Sequence, residues 1–349
     1  MSVDLPGFSV VPGAQVSSVL DGQEKAIIDV VEQAYRLHGE ALTINPRSYF
    51  LRFPDRPTAR IIALPASLGG DAPVDGIKWI SSFPTNLERG IPRASAVLIL
   101  NDPATGYPIG CLESSIISAS RTAASAALAA GRLSEGRTRP TRIGFVGAGL
   151  IARYIHTYLK AAGWSFEQLG VHDLSAGYAQ SFGDHLRRTG VSGEIVVHDS
   201  HEQLVRDSDL VVYATTAGTP HVHDPSWFAH NPLVLHVSLR DLGTEVILSA
   251  TNVVDDVHHC LTANTSVHLA EQQTGNRDFL VGTLHDVLTG AVRPDAGRPL
   301  VFSPFGLGVL DLAVGRFVYD ELARTGQLTT VDGFFHDLDR YGSSAGRPA

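Results

Sequence analysis

The sequence predicts an α/β protein that combines a doubly wound parallel sheet with a separate α+β domain. Two patterns along the chain indicate this fold. In the first third, short apolar runs follow one another with only turns between them, which is typical of an antiparallel sheet. From residue 141 onward, similar runs are separated by helical stretches of about 10–15 residues, which is typical of βαβ units. The 349 residues are enough for two domains of ordinary size.

The first segment begins with one amphipathic helix and continues as strands. Residues 22–41 carry apolar side chains at helical spacing, namely Ile27, Ile28, Val31, Ala34 and Tyr35. The strands predicted after this helix are residues 49–53, 59–64, 76–82, 94–100 and 108–113. Residues 102–106 form a predicted turn before the last of them, and hairpins and meanders of this kind build an antiparallel sheet. The segment ends near Ser118.

The second segment alternates helices and strands. It opens with an Ala-rich helix over residues 118–133 and a strand over 141–149 that runs into a glycine turn. The further strands predicted are residues 168–173, 194–199, 209–215, 233–238, 252–255 and 300–303. A last apolar helix, 307–325, is expected to return the chain to the first domain. We therefore expect one domain over 1–118 completed by 307–341, a second over 119–306, and a disordered tail at 342–349.

Composition and charge exclude several classes of protein. The formal charge is −9, from 27 basic and 36 acidic residues, and no basic run suggests nucleic-acid binding. No apolar stretch approaches about 18 residues, the start of the chain lacks the pattern of a signal peptide, and two cysteines make no disulfide framework. The histidine pairs lack companions at a metal-ligand spacing. We expect a cytoplasmic protein without a metal, a nucleic-acid partner or a membrane partner.

A glycine motif indicates a dinucleotide site. The strand at 142–146 runs into Gly147-x-Gly149-x-x-Ala152, and a helix follows. In this pattern the first glycine allows a tight turn, the second lets the backbone approach a pyrophosphate, and the small third residue lets helix and strand pack. The helix start at Leu150 and Ile151 would offer its free N–H groups to the phosphates. A glycine turn without a ligand is the alternative interpretation.

The acid expected in such a motif is Asp173, at the end of the second strand and 26 residues after Gly147. Its carboxylate would accept hydrogen bonds from a ribose diol and repel a 2′-phosphate, so the sequence favours NAD over NADP. A helix cap is the alternative role for this residue.

Two further loops follow strands at the carboxyl edge of the predicted sheet, where ligands bind. The loop at 212–218 offers the hydroxyls of Thr215 and Thr216 to a nicotinamide ribose. The loop at 236–241 carries Ser238 and ends in Asp241, which we expect to hang over the crevice. Either loop taken alone is also compatible with an ordinary capped turn.

Four cations on the other side of the predicted crevice are candidates for substrate binding: Arg47, Lys78, Arg93 and Arg121. Lys78 lies inside an apolar strand, where a solvent-facing edge residue is the common alternative. Arg121 lies near the start of the Ala-rich helix, where a cation opposes the helix dipole and suggests a partner anion. Arg93, after a proline, is equally typical of a surface arginine.

These motifs together resemble the ornithine cyclodeaminase/μ-crystallin family. The resemblance runs from about Arg47 to Asp320, and it is carried by residues 76–79, 83–86, 105–108, 120–124 and the G-x-G-x-x-A motif. Residues 92–96, 237–242, 275–278 and 302–308 are similar to one branch, the N-(2-amino-2-carboxyethyl)-L-glutamate dehydrogenases.

The resemblance implies a homodimer whose α+β domains bind substrate and pair with each other, with a Rossmann domain for NAD on each subunit. It implies that Arg47, Lys78 and Arg121 bind the amino-acid carboxylate. Asp241 matches the family's catalytic acid, although its local spacing differs from that of the cyclodeaminases. Thr122 and Phe305 fall in matched motifs on the cofactor side, and Arg93 suits a substrate with more carboxylates than ornithine.

The branch implies NAD-dependent oxidative cleavage of N-(2-amino-2-carboxyethyl)-L-glutamate to 2,3-diaminopropionate and 2-oxoglutarate, for siderophore or peptide-antibiotic synthesis. Ornithine cyclodeamination with catalytic NAD is one alternative. A non-enzymatic dinucleotide-binding regulator is another, and imine reduction on other small amino acids is a third.

Overall fold

The fold is that of a computed structural model, which describes residues 7–336. The tail predicted at 342–349 lies outside the described residues, and so does the end of the segment 307–341.

The first sheet contains eight strands and is mostly antiparallel. Seven come from the first part of the chain: β1 (Phe8–Val11), β2 (Thr43–Ile44), β3 (Tyr49–Phe53), β4 (Arg56–Leu68), β5 (Val74–Ser82), β6 (Ala94–Asn101) and β7 (Pro108–Glu113). Strands β3 to β7 form the predicted antiparallel meander. The sheet also contains β1, which the sequence did not predict and which pairs with β7 in parallel. The long connection between them, which includes two helices, supplies the crossover that a parallel pair requires.

Helices cover one face of this sheet. They are α1 (Gly13–Leu20), α2 (Glu24–Gly39), α3 (Ser115–Leu133) and, from the end of the chain, a helix over Gly308–Arg324 that packs on β4, β5 and β6. A last strand, Thr329–Val331, pairs with β1. Leu98, Leu100 and Leu112 fill the space between the sheet and the helices and are completely buried.

The second sheet is wholly parallel, as predicted. Its strands are β8 (Arg142–Val146), β9 (Gln168–His172), β10 (Glu194–Val197), β11 (Leu210–Tyr213), β12 (Leu233–His236), β13 (Thr251–Val254), β14 (Leu280–Thr283) and β15 (Leu300–Ser303). Their order is β10-β9-β8-β11-β12-β15-β13-β14, and every pair is parallel. The order reverses between β8 and β11, and ligands bind at this switch point in doubly wound sheets.

The helices of this part are α4 (Leu150–Ala161), α5 (Ala176–Arg188), α6 (His201–Arg206), α7 (Thr244–Ser249), α8 (Val257–Cys260), α9 (Ser266–Thr274) and α10 (Leu284–Leu288). The chain's last helix, Gly308–Arg324, is α11. No helix within residues 7–336 is both long and apolar enough to cross a membrane.

Helix α3 joins the two halves of the molecule. It packs against α2 on one side and α4 on the other, and its alanines 123, 124, 126 and 127 are buried. Small side chains allow these close helix contacts. The boundary predicted after residue 118 falls inside this helix, and the division into domains stays a prediction.

Candidate active site

The glycine motif lies in the turn between β8 and α4. Gly147 has φ +95°, and a Cβ there would lie 2.6 Å from the Ala214 carbonyl oxygen, so only glycine fits. Gly149 is the N-cap of α4 and has no side-chain cap, and a Cβ there would meet nothing within 4 Å. Ala152 is completely buried against the strand. The turn thus leaves open space in front of free helix N–H groups, at Leu150 and Ile151, which fits a pyrophosphate.

Asp173 lies beside this turn and orients it. Its Oδ2 accepts the Ala148 N–H at 2.9 Å, and its Oδ1 accepts the Ser175 N–H at 2.9 Å. Ser175, not Asp173, is the N-cap of α5, because its hydroxyl accepts the Tyr178 N–H. Each carboxylate oxygen retains a second lone pair, so the group is still able to accept a ribose hydroxyl.

The two predicted loops after β11 and β12 meet at Asp241. The hydroxyls of Thr215 and Ser238 each donate a hydrogen bond to its carboxylate. His221 Nε2 lies 3.2 Å from Oδ1 of Asp241, and His236 Nε2 accepts the Asp241 backbone N–H at 3.1 Å. The structure therefore brings Thr215, Ser238 and Asp241 together, while Thr216 is exposed at the loop surface.

The expectation that Asp241 hangs over the crevice is wrong. The side chain is 0 % exposed, because Leu239 takes a left-handed turn (φ +71°) and the carboxylate packs inward against its hydroxyl donors. Burial raises the pKa of Asp241, but hydrogen bonds to the carboxylate, among them those from His221 and Ser238, outweigh it and hold the pKa well below its usual range. Asp241 is therefore an anion that orients the loop hydroxyls, and His221, 42 % exposed, links it to solvent.

Lys78 is buried rather than solvent-facing, so the edge-residue interpretation is excluded. It is 2 % exposed and lies under α11, where its Nζ contacts Asp311 Oδ2 at 2.6 Å and Ser118 Oγ at 3.3 Å. Arg121 Nε contacts the other oxygen of Asp311 at 3.2 Å. Asp311 is thus a partner anion of Arg121, but the reason given for expecting one is wrong, because α3 begins at Ser115 and Arg121 lies in its second turn. Two cations share one carboxylate, which leaves one net positive charge for a ligand.

Sequence reasoning missed Asp311. The available signal was an acid in the otherwise apolar run from Val309 to Leu312. Burial lowers the pKa of Lys78 to about 8, with Asp311 raising it and Arg121 lowering it further.

The loop after β15 connects this cluster to the cofactor side. Gly306 has φ +90°, and a Cβ there would lie 2.5 Å from Arg121 Nη1, so the guanidinium rests directly against the loop backbone. Phe305, the preceding residue, lines a cavity of about 260 Å³ together with Arg47, Arg52 and His259. The cavity lies between the two halves of the molecule. The structure thus places Arg47 and Phe305 at one cleft.

The remaining predicted residues lie in the same region. Arg93 Nη1 donates to Ser82 Oγ at 2.7 Å, on the strand that carries Lys78. Thr122 lies next to Arg121 on α3, and its hydroxyl donates to the Ser118 carbonyl at 2.7 Å.

Known proteins are similar to this chain in sequence and fold over nearly its whole length. Residues 14–326 match the model of the ornithine cyclodeaminase/mu-crystallin family. N-((2S)-2-amino-2-carboxyethyl)-L-glutamate dehydrogenase of Staphylococcus aureus is 27% identical over 314 residues, 87% of this chain and 92% of that protein. The crystal structure of CmnK superposes with a TM-score of 0.82 at 30% identity, covering 95% of this chain and 100% of CmnK.

An archaeal alanine dehydrogenase, solved as a dimer with bound NAD, has the same fold. Its TM-score is 0.82 at 23% identity, over 94% of this chain and 99% of that one. The predicted fold class is therefore confirmed. Because the family model covers most of the chain, the protein belongs to the ornithine cyclodeaminase/mu-crystallin family.

Proposed function

We propose that this protein is an NAD-dependent dehydrogenase that cleaves N-(2-amino-2-carboxyethyl)-L-glutamate to 2,3-diaminopropionate and 2-oxoglutarate. The observation that carries the proposal is the buried cluster of Lys78, Asp311 and Arg121, which contacts the loop of Phe305 and Gly306 at the same carboxyl edge of the parallel sheet as the dinucleotide turn. The prediction that the protein is an NAD-dependent amino-acid dehydrogenase is confirmed, because its relatives include two amino-acid dehydrogenases.

The dinucleotide turn fits NAD. In our proposal the pyrophosphate lies at the start of α4, where Gly147 and Gly149 leave room for it, and Asp173 binds a ribose diol. Its negative charge disfavours the 2′-phosphate of NADP. On the nicotinamide side, the hydroxyls of Thr215 and Ser238 are fixed by Asp241. When bound there, NAD accepts a hydride from the carbon being oxidised.

The substrate's reacting end is held by the cation cluster. Lys78 and Arg121 carry two positive charges against the single charge of Asp311, so the α-carboxylate of the glutamyl part completes the pairing. Arg47, at the mouth of the cleft, is free of ion pairs within the described residues and adds a third cation. This arrangement would fix the glutamyl Cα–H for hydride loss.

The reaction balances as an oxidation followed by a hydrolysis. The glutamyl Cα loses a hydride and the secondary amine loses a proton, which forms a C=N bond. Water then adds to that carbon, the C–N bond breaks, and the nitrogen leaves with 2,3-diaminopropionate. In our proposal Asp241 assists proton transfer through His221, which contacts both the buried carboxylate and solvent.

We further propose that the protein forms a homodimer and serves the synthesis of a siderophore or peptide antibiotic. The dimeric archaeal structure supports the first part. The Staphylococcus aureus relative supports the choice of substrate. The proposed role in siderophore or peptide-antibiotic synthesis is inferred from the product of that substrate, 2,3-diaminopropionate.

The test supplies the purified diaminopropionate–glutamate adduct and NAD and measures NADH and 2-oxoglutarate together. We expect both to appear in equal amounts. Ornithine is the matched alternative substrate, for which a cyclodeaminase would release ammonia without net NADH. If protein that demonstrably binds NADH forms neither product from the adduct, the proposed function is wrong.

A further inference from the structure

Four arginines that have little or no part in the proposed reaction lie together, farther along the cleft than Lys78. We call Arg52, Arg60, Arg93 and Arg240 the distal arginine cluster. The first two face each other directly across β3 and β4, where Arg52 is the register partner of Arg60. Directly opposite residues of antiparallel strands share one face of a sheet, so these two guanidinium groups project to the same side.

This side is the one that carries Lys78. Arg60 is opposite Ser82 on β5, and Ser82 lies four residues from Lys78 on the same strand. Because side chains alternate along a strand, Lys78, Ser82 and Arg60 share a face, with Lys78 about 13 Å from Ser82 at 3.3 Å per residue. Arg93 joins the group through its hydrogen bond to Ser82 Oγ at 2.7 Å. The cluster therefore continues the cation site along the cleft.

The fourth member comes from the opposite wall. Arg240 precedes Asp241, and its Nε and Nη2 donate to the Ala263 carbonyl at 3.2 and 2.9 Å. Ala263 lines the same cavity as Arg47 and Arg52. The cluster thus faces the cleft from both halves of the molecule.

The cluster lacks anions of its own. Within residues 7–336, none of its four members has a carboxylate within ion-pair distance. Arg60 is partly buried, and its Nε is a buried donor without a partner. Burial and then neighbouring arginines lower the pKa of Arg60, Arg93 and Arg240, which shows that the charges repel one another. Like charges held this close are stabilised when an anionic ligand enters.

We propose that the distal arginine cluster binds the substrate carboxylates remote from the reacting carbon, and that it restricts this enzyme to polycarboxylate amines. The inference rests on the proposed function for the identity of the substrate. The adduct has three carboxylates, of which Lys78 and Arg121 take one, and the planar guanidinium forks suit the other two. The ammonium group of the adduct's diaminopropionate end lies beside a carboxylate, whereas the ammonium at the far end of ornithine has none, so the cluster repels ornithine.

The test compares Arg60→Gln and Arg240→Gln with Arg187→Gln, a surface arginine of α5 paired with Asp184. For each distal variant, KM for the adduct should rise about 10- to 100-fold, the loss expected for a charged hydrogen bond, with NADH binding unchanged. Arg187→Gln should change neither. Unchanged KM for the adduct in both distal variants would overturn the proposal.

A second measurement separates this inference from the proposed function. Citrate, a tricarboxylate probe, should raise the Tm of the wild-type protein and of Arg187→Gln, and should raise it much less in Arg60→Gln. If the adduct is not turned over but citrate stabilisation depends on Arg60, the cluster is a polycarboxylate site and the assigned reaction is wrong. If citrate stabilises all variants equally, the distal arginine cluster is not that site, whatever the reaction.

Discussion

Lys78 and Asp311 depend on each other because both are buried in the same apolar layer between β5 and α11. A buried ion pair adds little net stability over an apolar pair, but removing one partner leaves an isolated charge. Asp311 also holds Arg121, so its loss would strand two cations. The stability of the fold and the charge of the proposed substrate site therefore both depend on the Asp311 carboxylate.

Asp311→Asn should therefore destabilise the protein by about 3–5 kcal/mol in urea unfolding. The matched control is Asp320→Asn on the same helix, whose partner Arg316 lies four residues away and partly exposed. For that surface pair we expect less than about 1 kcal/mol. Equal losses in the two variants would show that Asp311 is not the counter-ion of a buried cluster.

The pH dependence of activity should follow Lys78. Burial lowers its pKa from 10.5 to about 8, so the ammonium that binds substrate is lost as pH rises through about 8. We expect kcat/KM for the adduct to fall about tenfold per pH unit above that value. Lys78→Arg should move the falling limb to higher pH, since arginine stays charged. A profile identical in both proteins would remove Lys78 from substrate binding.

The lowered pKa of Lys78 also makes the stability of the folded protein depend on pH. Between about pH 8 and 10.5 the unfolded chain keeps the Lys78 proton that the folded protein has released. Because the unfolded state then binds more protons, this residue makes the free energy of unfolding rise with pH across that window.

At the residue scale, the sequence identified the cations but not their environment. Lys78 was predictable because a lysine inside an apolar strand is unusual. Arg121 was singled out as lying near a helix start, but α3 begins six residues earlier, at Ser115. Asp311 was not, since it pairs across 233 residues of chain. The inward turn of Asp241 depends on a left-handed Leu239, a conformation that residue type does not indicate.

At the scale of elements, strands with strong patterns were predicted well. Tyr49–Phe53, Pro108–Glu113 and Leu300–Ser303 have the predicted bounds. The short strands β1, β2, β14 and Thr329–Val331 were missed. Strands of two or three residues, such as β2 and Thr329–Val331, are too short to show alternation, and in β14 Gly282 interrupts the apolar run. Their pairing is decided by neighbouring strands, which a local pattern does not contain.

The turn between β8 and α4 offers a test of the dinucleotide site. Gly147→Ala would place a Cβ 2.6 Å from the Ala214 carbonyl, at φ +95°. Because a backbone atom has to move, the turn should shift and NADH affinity should fall about tenfold or more. Gly163→Ala is the matched control, with φ +80° and nothing within 4 Å of a Cβ. Both alanine variants have a side chain at positive φ, but only the one at residue 147 meets a backbone atom. NADH titration of the two variants therefore isolates the steric effect, and equal NADH affinities would contradict a dinucleotide site at this turn.

On the scale of the whole molecule, polar contacts beside the cleft join its two halves. His38 of α2 contacts Asp256 at 3.1 Å, and Asp256 contacts His259 at 2.8 Å. Asn45 Nδ2 lies 3.0 Å from His259 Nε2. The two contacts between the halves, His38–Asp256 and Asn45–His259, join residues more than 200 positions apart in sequence, so no local pattern predicts them. They position Arg47 opposite the Rossmann half and thereby create the cavity.

The outer face of the first sheet is where a second subunit should bind. Tyr49, Trp79 and Val97 lie in one row across the sheet, on the face opposite Lys78. In the strand register, Ala63 pairs with Tyr49 on one side and with Trp79 on the other, and Trp79 pairs in turn with Val97. They are 71%, 42% and 39% exposed, which is unusual for large apolar side chains on adjacent strands.

Trp79→Lys should therefore convert the proposed homodimer into monomers, because a charge in the centre of an apolar interface is buried without a partner. Sedimentation velocity at several concentrations would measure this, and NADH titration would show whether the Rossmann half remains folded. Val281→Lys on β14 is the matched control, since Val281 is 41% exposed but belongs to the parallel sheet. If both variants sediment like the wild-type protein, subunits do not pair through this face. If only Trp79→Lys dissociates while NADH binding persists, the sheet that buries Lys78 on one face carries the dimer contact on the other.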